Sequence, residues 1–225
     1  LLLTEIVKEY ESFLTEEQVL SLLETFKETF EEKNTDNLLQ RVRSLPYAFF
    51  EKMLSECKPG NEDSKKYESI VSTIFKFLFS GRITFSDQAR EIQSIKIPDL
   101  LATIILLNEE KHPHLNTIVD LNKGRQFIIE IKNKDKVESK DVDQLNKYLI
   151  DRKCNWGILV YRGKRDGKHN VSKTVPIALK GAENQGKKMF ILNDQDLFLL
   201  LENWSNYLDK DDKDEFDKAF LEMMY

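Results

Sequence analysis

Residues 126–132 read Gln126-Phe127-Ile128-Ile129-Glu130-Ile131-Lys132. From Phe127 to Ile131 every residue is apolar except Glu130, the composition of a strand buried on both faces of a sheet. Side chains alternate along a strand, so Glu130 and Lys132 project from the same side. A carboxylate and an ammonium on an otherwise interior strand cost free energy unless they pair or hold an ion. The stretch therefore predicts a central strand with a site at its C-terminal end. The plainer reading of the same two charges is an ion pair on an exposed strand rim.

The flanking sequence predicts an α/β unit around that strand. Downstream, Val142–Asp151 has helical spacing and leads to a second apolar strand, Trp156–Tyr161. A short helix around residues 178–184, a strand over 188–192 and a terminal helix capped by Asn193 or Asp194 follow. Upstream, Ser64 to Phe79 places Ile70, Ile74, Phe77 and Leu78 on one helical face and ends at Ser80-Gly81. Strands are expected at Arg82–Phe85 and Ile97–Leu107, giving the order helix, three strands, helix, strand. His114–Leu121 reads equally as a strand or a short helix.

Strand pairing then selects a second acid. If Ile97–Leu107 and Gln126–Lys132 run antiparallel, the start of the first lies beside the end of the second, and Asp99 of Pro98-Asp99 faces Glu130. The rival, Asp120, falls near the Asn122-Lys123-Gly124-Arg125 turn, which reads as the closed end of a hairpin remote from Glu130. On the helix after the central strand, Gln144 and Tyr148 are four apart and share a face.

Composition frames this core. The chain has 225 residues, 40% hydrophobic and 10% aromatic, enough for one substantial core with an appended piece. The first 63 residues read as helices, with Ile6, Tyr10, Phe13 and Leu14 at helical spacing, a capping signal at Thr15-Glu16-Glu17-Gln18 opening a second helix to about Glu32, and a third over residues 38–42. Lys58-Pro59-Gly60-Asn61-Glu62-Asp63 has the turn chemistry of a boundary. The expected organisation is a helical subdomain over 1–63, an α/β domain over 64–208, and a charged helix or solvated tail over 209–225. Residues 64–208 carry 24 Lys/Arg against 18 Asp/Glu, whereas the segments before and after carry 7 against 14 and 3 against 7. The positive part of an acidic chain thus holds the candidate site, which a polyphosphate partner favours.

Other features exclude rather than select. The longest apolar runs, Leu100–Leu107 and Phe75–Phe79 broken by Lys76, fall short of the roughly 20 residues of a membrane helix. The chain opens on Leu1 and is acidic by Glu5, unlike a secretory signal and as expected of a piece of something longer. Cys57 and Cys154 are far apart with no CxxC spacing, so a reducing, cytoplasmic setting is expected rather than a disulfide framework. His112-Pro113-His114 lacks a third ligand nearby for zinc. Arg162-Gly163-Lys164-Arg165-Asp166-Gly167-Lys168-His169 reads as a phosphate-contacting loop through Arg162, Lys164, Arg165 and Lys168, with a solvated hairpin tip as the alternative.

Pro98-Asp99 followed by Glu130-Ile131-Lys132 in this element order resembles the PD-(D/E)xK nuclease superfamily, over roughly residues 64–200. Gln144-Leu145-Asn146-Lys147-Tyr148 is similar to the QxxxY helix of its RecB-like branch. Asn133 directly after Lys132, together with Tyr67-Glu68 on the first core helix, resembles restriction-endonuclease-like proteins of bacterial defence. The resemblance implies a restriction-endonuclease-like core of mixed sheet flanked by helices, DNA as partner in a homo-oligomer or larger defence complex, and Mg²⁺, or Mn²⁺ in its place, as cofactor. It also implies Glu68 as an added metal ligand. In that chemistry Asp99 and Glu130 supply hard oxygens, with the Ile131 carbonyl as a third. Lys132 stabilises developing charge or orients the water, and Gln144 and Tyr148 hold the substrate backbone or fix Lys132. A non-catalytic module on the same fold and an RNA-cleaving nuclease are the rival functions.

Overall fold

The computed structural model describes residues 38–87, 98–105, 112–163, 169–207 and 213–225. The helices expected within 1–37, together with Ile97, Leu106, Leu107, Lys164, Arg165 and Lys168, lie outside them. The elements in chain order are α1 (Leu38–Glu56), α2 (Ser64–Leu78), β1 (Ile83–Asp87), β2 (Leu100–Ile104), α3 (Pro113–Asn122) and β3 (Gln126–Lys132). They continue with α4 (Ser139–Asp151), β4 (Trp156–Tyr161), α5 (Val175–Glu183), β5 (Lys188–Asn193), α6 (Asp194–Tyr207) and α7 (Lys213–Met224). The fold is mixed α/β, an open five-stranded sheet in the order β1-β2-β3-β4-β5 flanked by helices.

The sheet is antiparallel on one side of β3 and parallel on the other. β1 with β2 and β2 with β3 run antiparallel, whereas β3 with β4 and β4 with β5 run parallel. β3 is therefore the strand where the two patterns meet, and it is buried from Phe127 to Ile131. All six residues of β4 are buried, as its unbroken apolar run requires. Parallel neighbours need crossovers, and α4 and α5 supply them. They cover one face with a cluster that includes Ile128, Val142, Leu145, Tyr148, Leu149, Leu159 and Tyr161. Gly157 lets α4 approach: a Cβ there would meet the Ile128 carbonyl oxygen at 2.9 Å and Leu145 Cδ1 at 3.0 Å.

The other face is covered by α2, joined by α1, α6, α7 and α3. Ile74 and Phe75 of α2 share one cluster with Phe127 and Ile129 of β3, Phe49 and Phe50 of α1, and Leu197 and Leu200 of α6. Through Phe49 and Phe50, α1 packs into the same cluster as the sheet. α7 also differs from a solvated tail. Phe216, Phe220 and Met224 are buried, with the Phe79 ring tilted against Phe216 and edge-on to Phe220 at ring separations of 5.4 and 4.7 Å. Each such aromatic contributes about 1.5–3 kcal/mol by leaving water, enough to dock a helix whose exposed side is charged.

Asp217 on α7 is fully buried, paired with Arg82 just before β1. The guanidinium also donates to the Leu78 carbonyl and lies over the rings of Phe79 and Phe216. The second Asp217 oxygen meets His112 Nδ1 at 3.3 Å. His112-Pro113-His114 thus begins a helix, α3, with Leu115 and Ile118 buried. The Asn122–Arg125 turn is not a hairpin end. It terminates α3 through Lys123 at φ 52° and leads into β3.

Candidate active site

The β2–β3 register pairs Leu100 with Ile129, so one residue further Asp99 stands opposite Glu130. Asp99 Oδ2 accepts a 2.6 Å hydrogen bond from the Ile131 amide, which extends the ladder by a side chain where β2 has not yet begun. The amide and carbonyl of one strand residue point to the same edge, so the Ile131 carbonyl is on the side of Asp99. Asp120 is on α3, beyond the opposite end of β3.

Glu130 is 1% exposed. Its Oε1 accepts from Lys132 Nζ at 2.5 Å and from Gln144 Nε2 at 2.8 Å. Its Oε2 is buried and completes no hydrogen bond, although the Asp99 amide favours the charged carboxylate. An oxygen left over in the interior of a strand is costly, and a site that keeps one is suited to something the chain alone does not supply. Burial, and then the neighbouring Asp99 charge, push the Glu130 carboxyl up to about 7, with Lys132 and the Asp99 amide pulling back. Burial raises Asp99 also, opposed by the Ile131 amide and Lys132. For Lys132, burial disfavours the charge, but Glu130, Asp99 and Asp141 outweigh it and the ammonium is held above its ordinary value. The two carboxylates thus hold Lys132 as a cation beside Glu130.

α4 brings the helix pair to this point. Gln144 Nε2 also contacts the Tyr148 hydroxyl at 2.9 Å. Tyr148 is 3% exposed, packed among Leu145, Leu149 and Val142. Its phenol thus fixes Gln144 rather than reaching out to a substrate. The helix starts where it does because Asp141 accepts the Glu138 amide at 2.8 Å and pairs with Lys134.

Glu68 lies on α2, on the other layer, half-buried. Burial and then Asp99 raise its carboxyl, with Lys132 opposing, so it stands within electrostatic reach of the pair. Among the described residues no three His, Cys, Asp or Glu side chains stand together as a ready-made metal cage. The donor set of Asp99, Glu130 and the Ile131 carbonyl nonetheless suits a hard cation that keeps several waters, as Mg²⁺ does. The unpartnered Oε2 is the observation that fits it.

Arg162 departs from its expected place. Its Nη2 donates to the Leu54 carbonyl at 2.7 Å and its Nη1 to the Cys57 carbonyl, at the end of α1. The guanidinium sits 5.6 Å from the Tyr67 ring centroid and 3.9 Å from Asp194. It is an interior anchor, because the carbonyls that end α1 offer acceptors that water reaches poorly. Asn133 has a related role that its position after Lys132 alone did not disclose. Its side-chain amide donates to the Lys58 and Gly60 carbonyls at 2.8 and 2.9 Å, while its own carbonyl accepts from Gly60 at 2.8 Å. Tyr67 donates to Asp194 at 2.6 Å, and burial raises Asp194 to about 6. Together these bonds fasten the loop before α2 to the end of β3. No protein-family model matches the chain and no curated protein matches its sequence, so the geometry carries the functional argument. No helix of the described residues is long and apolar enough to cross a membrane.

Proposed function

We propose that this chain is a divalent-metal-dependent nuclease with a PD-(D/E)xK core that hydrolyses phosphodiester bonds in DNA, in prokaryotic defence against foreign DNA. The observation that carries the reading is the buried, unpartnered Glu130 oxygen beside Asp99, on the one strand where the antiparallel and parallel halves of the sheet meet. Asp99, Glu130 and the Ile131 carbonyl would hold Mg²⁺ or Mn²⁺, with Glu68 within electrostatic reach of them. When bound, the cation supplies Lewis acidity toward the phosphate and an acidified water. Lys132, kept protonated, places positive charge where the pentavalent phosphate gathers negative charge. Gln144 fixes the orientation of Glu130, and Tyr148 fixes Gln144.

The test incubates the protein with Mg²⁺ or Mn²⁺ and with linear, circular and single-stranded DNA, beside RNA. Divalent-dependent cleavage of DNA is expected, lost by about 10²–10³-fold in Glu130→Gln and Lys132→Ala. Full activity in Glu130→Gln would remove the site assignment, and cleavage confined to RNA would move the substrate. Because the carboxyl must lose its proton to ligate and titrates at about 7, metal affinity should fall as pH drops below neutrality.

A further inference from the structure

The expected phosphate loop has given up Arg162 to the interior, and a different basic element adjoins the candidate site. A groove of about 530 Å³ is lined by Lys132, Lys140, Asp141, Asp143, Gln144 and Lys147. Two of these, Lys132 and Gln144, are bonded to Glu130. Lys140, Gln144 and Lys147 follow i, i+4, i+7 spacing, so one face of α4 presents all three. At 1.5 Å per residue, Lys140 lies about 6 Å before Gln144 along the axis and Lys147 about 4.5 Å after it.

The acids of the groove bear on what it can hold. Asp141 is occupied by Lys134 and by the Glu138 amide. Lys140 pairs with Glu138 at 2.7 Å, but the two side chains are 75% and 48% exposed, a pairing that a phosphate can displace at little cost. Asp143 is exposed on the rim between the two lysines, and its charge opposes any anion there.

We propose that the substrate strand lies along α4, with the phosphates flanking the reacting one held by Lys140 and Lys147. This rests on the nuclease reading above, and it replaces the Arg162–His169 loop as the main backbone track. It makes two demands of opposite sign. Removing the lysines weakens binding and its salt dependence, whereas removing the Asp143 charge strengthens binding.

Binding of a labelled single-stranded oligonucleotide and of its duplex is measured in EDTA across a salt series, so that hydrolysis does not intervene. For Lys140→Ala/Lys147→Ala the slope of log K against log salt should become shallower by about 1.4 for the single strand or about 1.8 for the duplex, the loss of two phosphate contacts. Asp143→Asn should bind a few-fold more tightly. All three side chains are exposed, so the folded chain is retained, and the gain in Asp143→Asn cannot come from misfolding. If the wild-type chain binds but the double variant keeps its slope, or if the slope falls only in Lys164→Ala/Arg165→Ala/Lys168→Ala, the α4 track is overturned and the nuclease reading stands. If the wild-type chain binds neither probe, the α4 track falls, and divalent-dependent cleavage decides the nuclease reading by itself.

Discussion

Glu130 and Asp217 are both buried carboxylates paired with a cation, one in the central strand and one on the last helix. Asp217 uses both oxygens, the first on Arg82 and the second on His112, while its cation is held between two aromatic rings. Glu130 uses one oxygen twice and leaves the other without a partner, with a second acid, Asp99, at its side. Burial raises both carboxyls, but only Glu130 is also raised by a neighbouring acid. Burial and an ion pair are therefore shared by a structural cluster and a candidate catalytic one. Incomplete satisfaction and like-charge crowding separate them.

That separation can be broken by experiment. Asp217→Ala leaves the interior guanidinium of Arg82 without its carboxylate, which costs about 3–5 kcal/mol and lowers Tm by about 10 °C. Calorimetry should show this, and any activity should fall only in step with the folded fraction. An unaltered Tm would mean that α7 is not held by this pair.

Glu130→Gln should act in the opposite direction. The folded carboxyl titrates at about 7 against an ordinary 4.5. The folded chain thus keeps a proton that the unfolded chain releases, and stability declines as pH rises through that window. Removing the charge should stabilise the metal-free protein by up to about 3 kcal/mol at pH 8, with the gain fading toward pH 4.5. A denaturant titration at each pH reads this. Destabilisation at pH 8 would show that the lost Lys132 pair outweighs the relieved burial, and the contrast with Asp217 would narrow.

The smallest effect belongs to Tyr148→Phe. It removes one hydrogen bond of about 1 kcal/mol, so cleavage should slow about fivefold with Tm nearly unchanged. An equal loss of Tm and rate would mark Tyr148 as core alone.

The strands of the sheet were legible because their patterns are local. Trp156–Tyr161 and Gln126–Lys132 are apolar runs of strand length, and the antiparallel pairing that puts Asp99 by Glu130, a condition of the sequence reading, is the one β2 and β3 make. What escaped the sequence depends on neighbours distant along the chain. Arg162 looks like its basic successors, yet the carbonyls of Leu54 and Cys57 and the Tyr67 ring draw it inward. The acidic run from Asp209 hid Phe216, Phe220 and Met224 at i, i+4, i+8, a helical stripe that is plain once Asp217 is seen to accept from Arg82. His114–Leu121 stayed ambiguous because eight residues with two buried apolar side chains suit either period.

Gly157 gives the site its working clearance. α4 rests on the sheet through Leu145 and Leu149, 3.0 and 3.2 Å from where a Cβ at 157 would stand, and Gln144 is the next residue along. The helix behaves as a lever whose fulcrum is the bare backbone of a neighbouring strand. An added methyl group would raise that fulcrum and carry the Gln144 amide away from Glu130, so the 2.8 Å bond between them is inherited from an atom that β4 does not have.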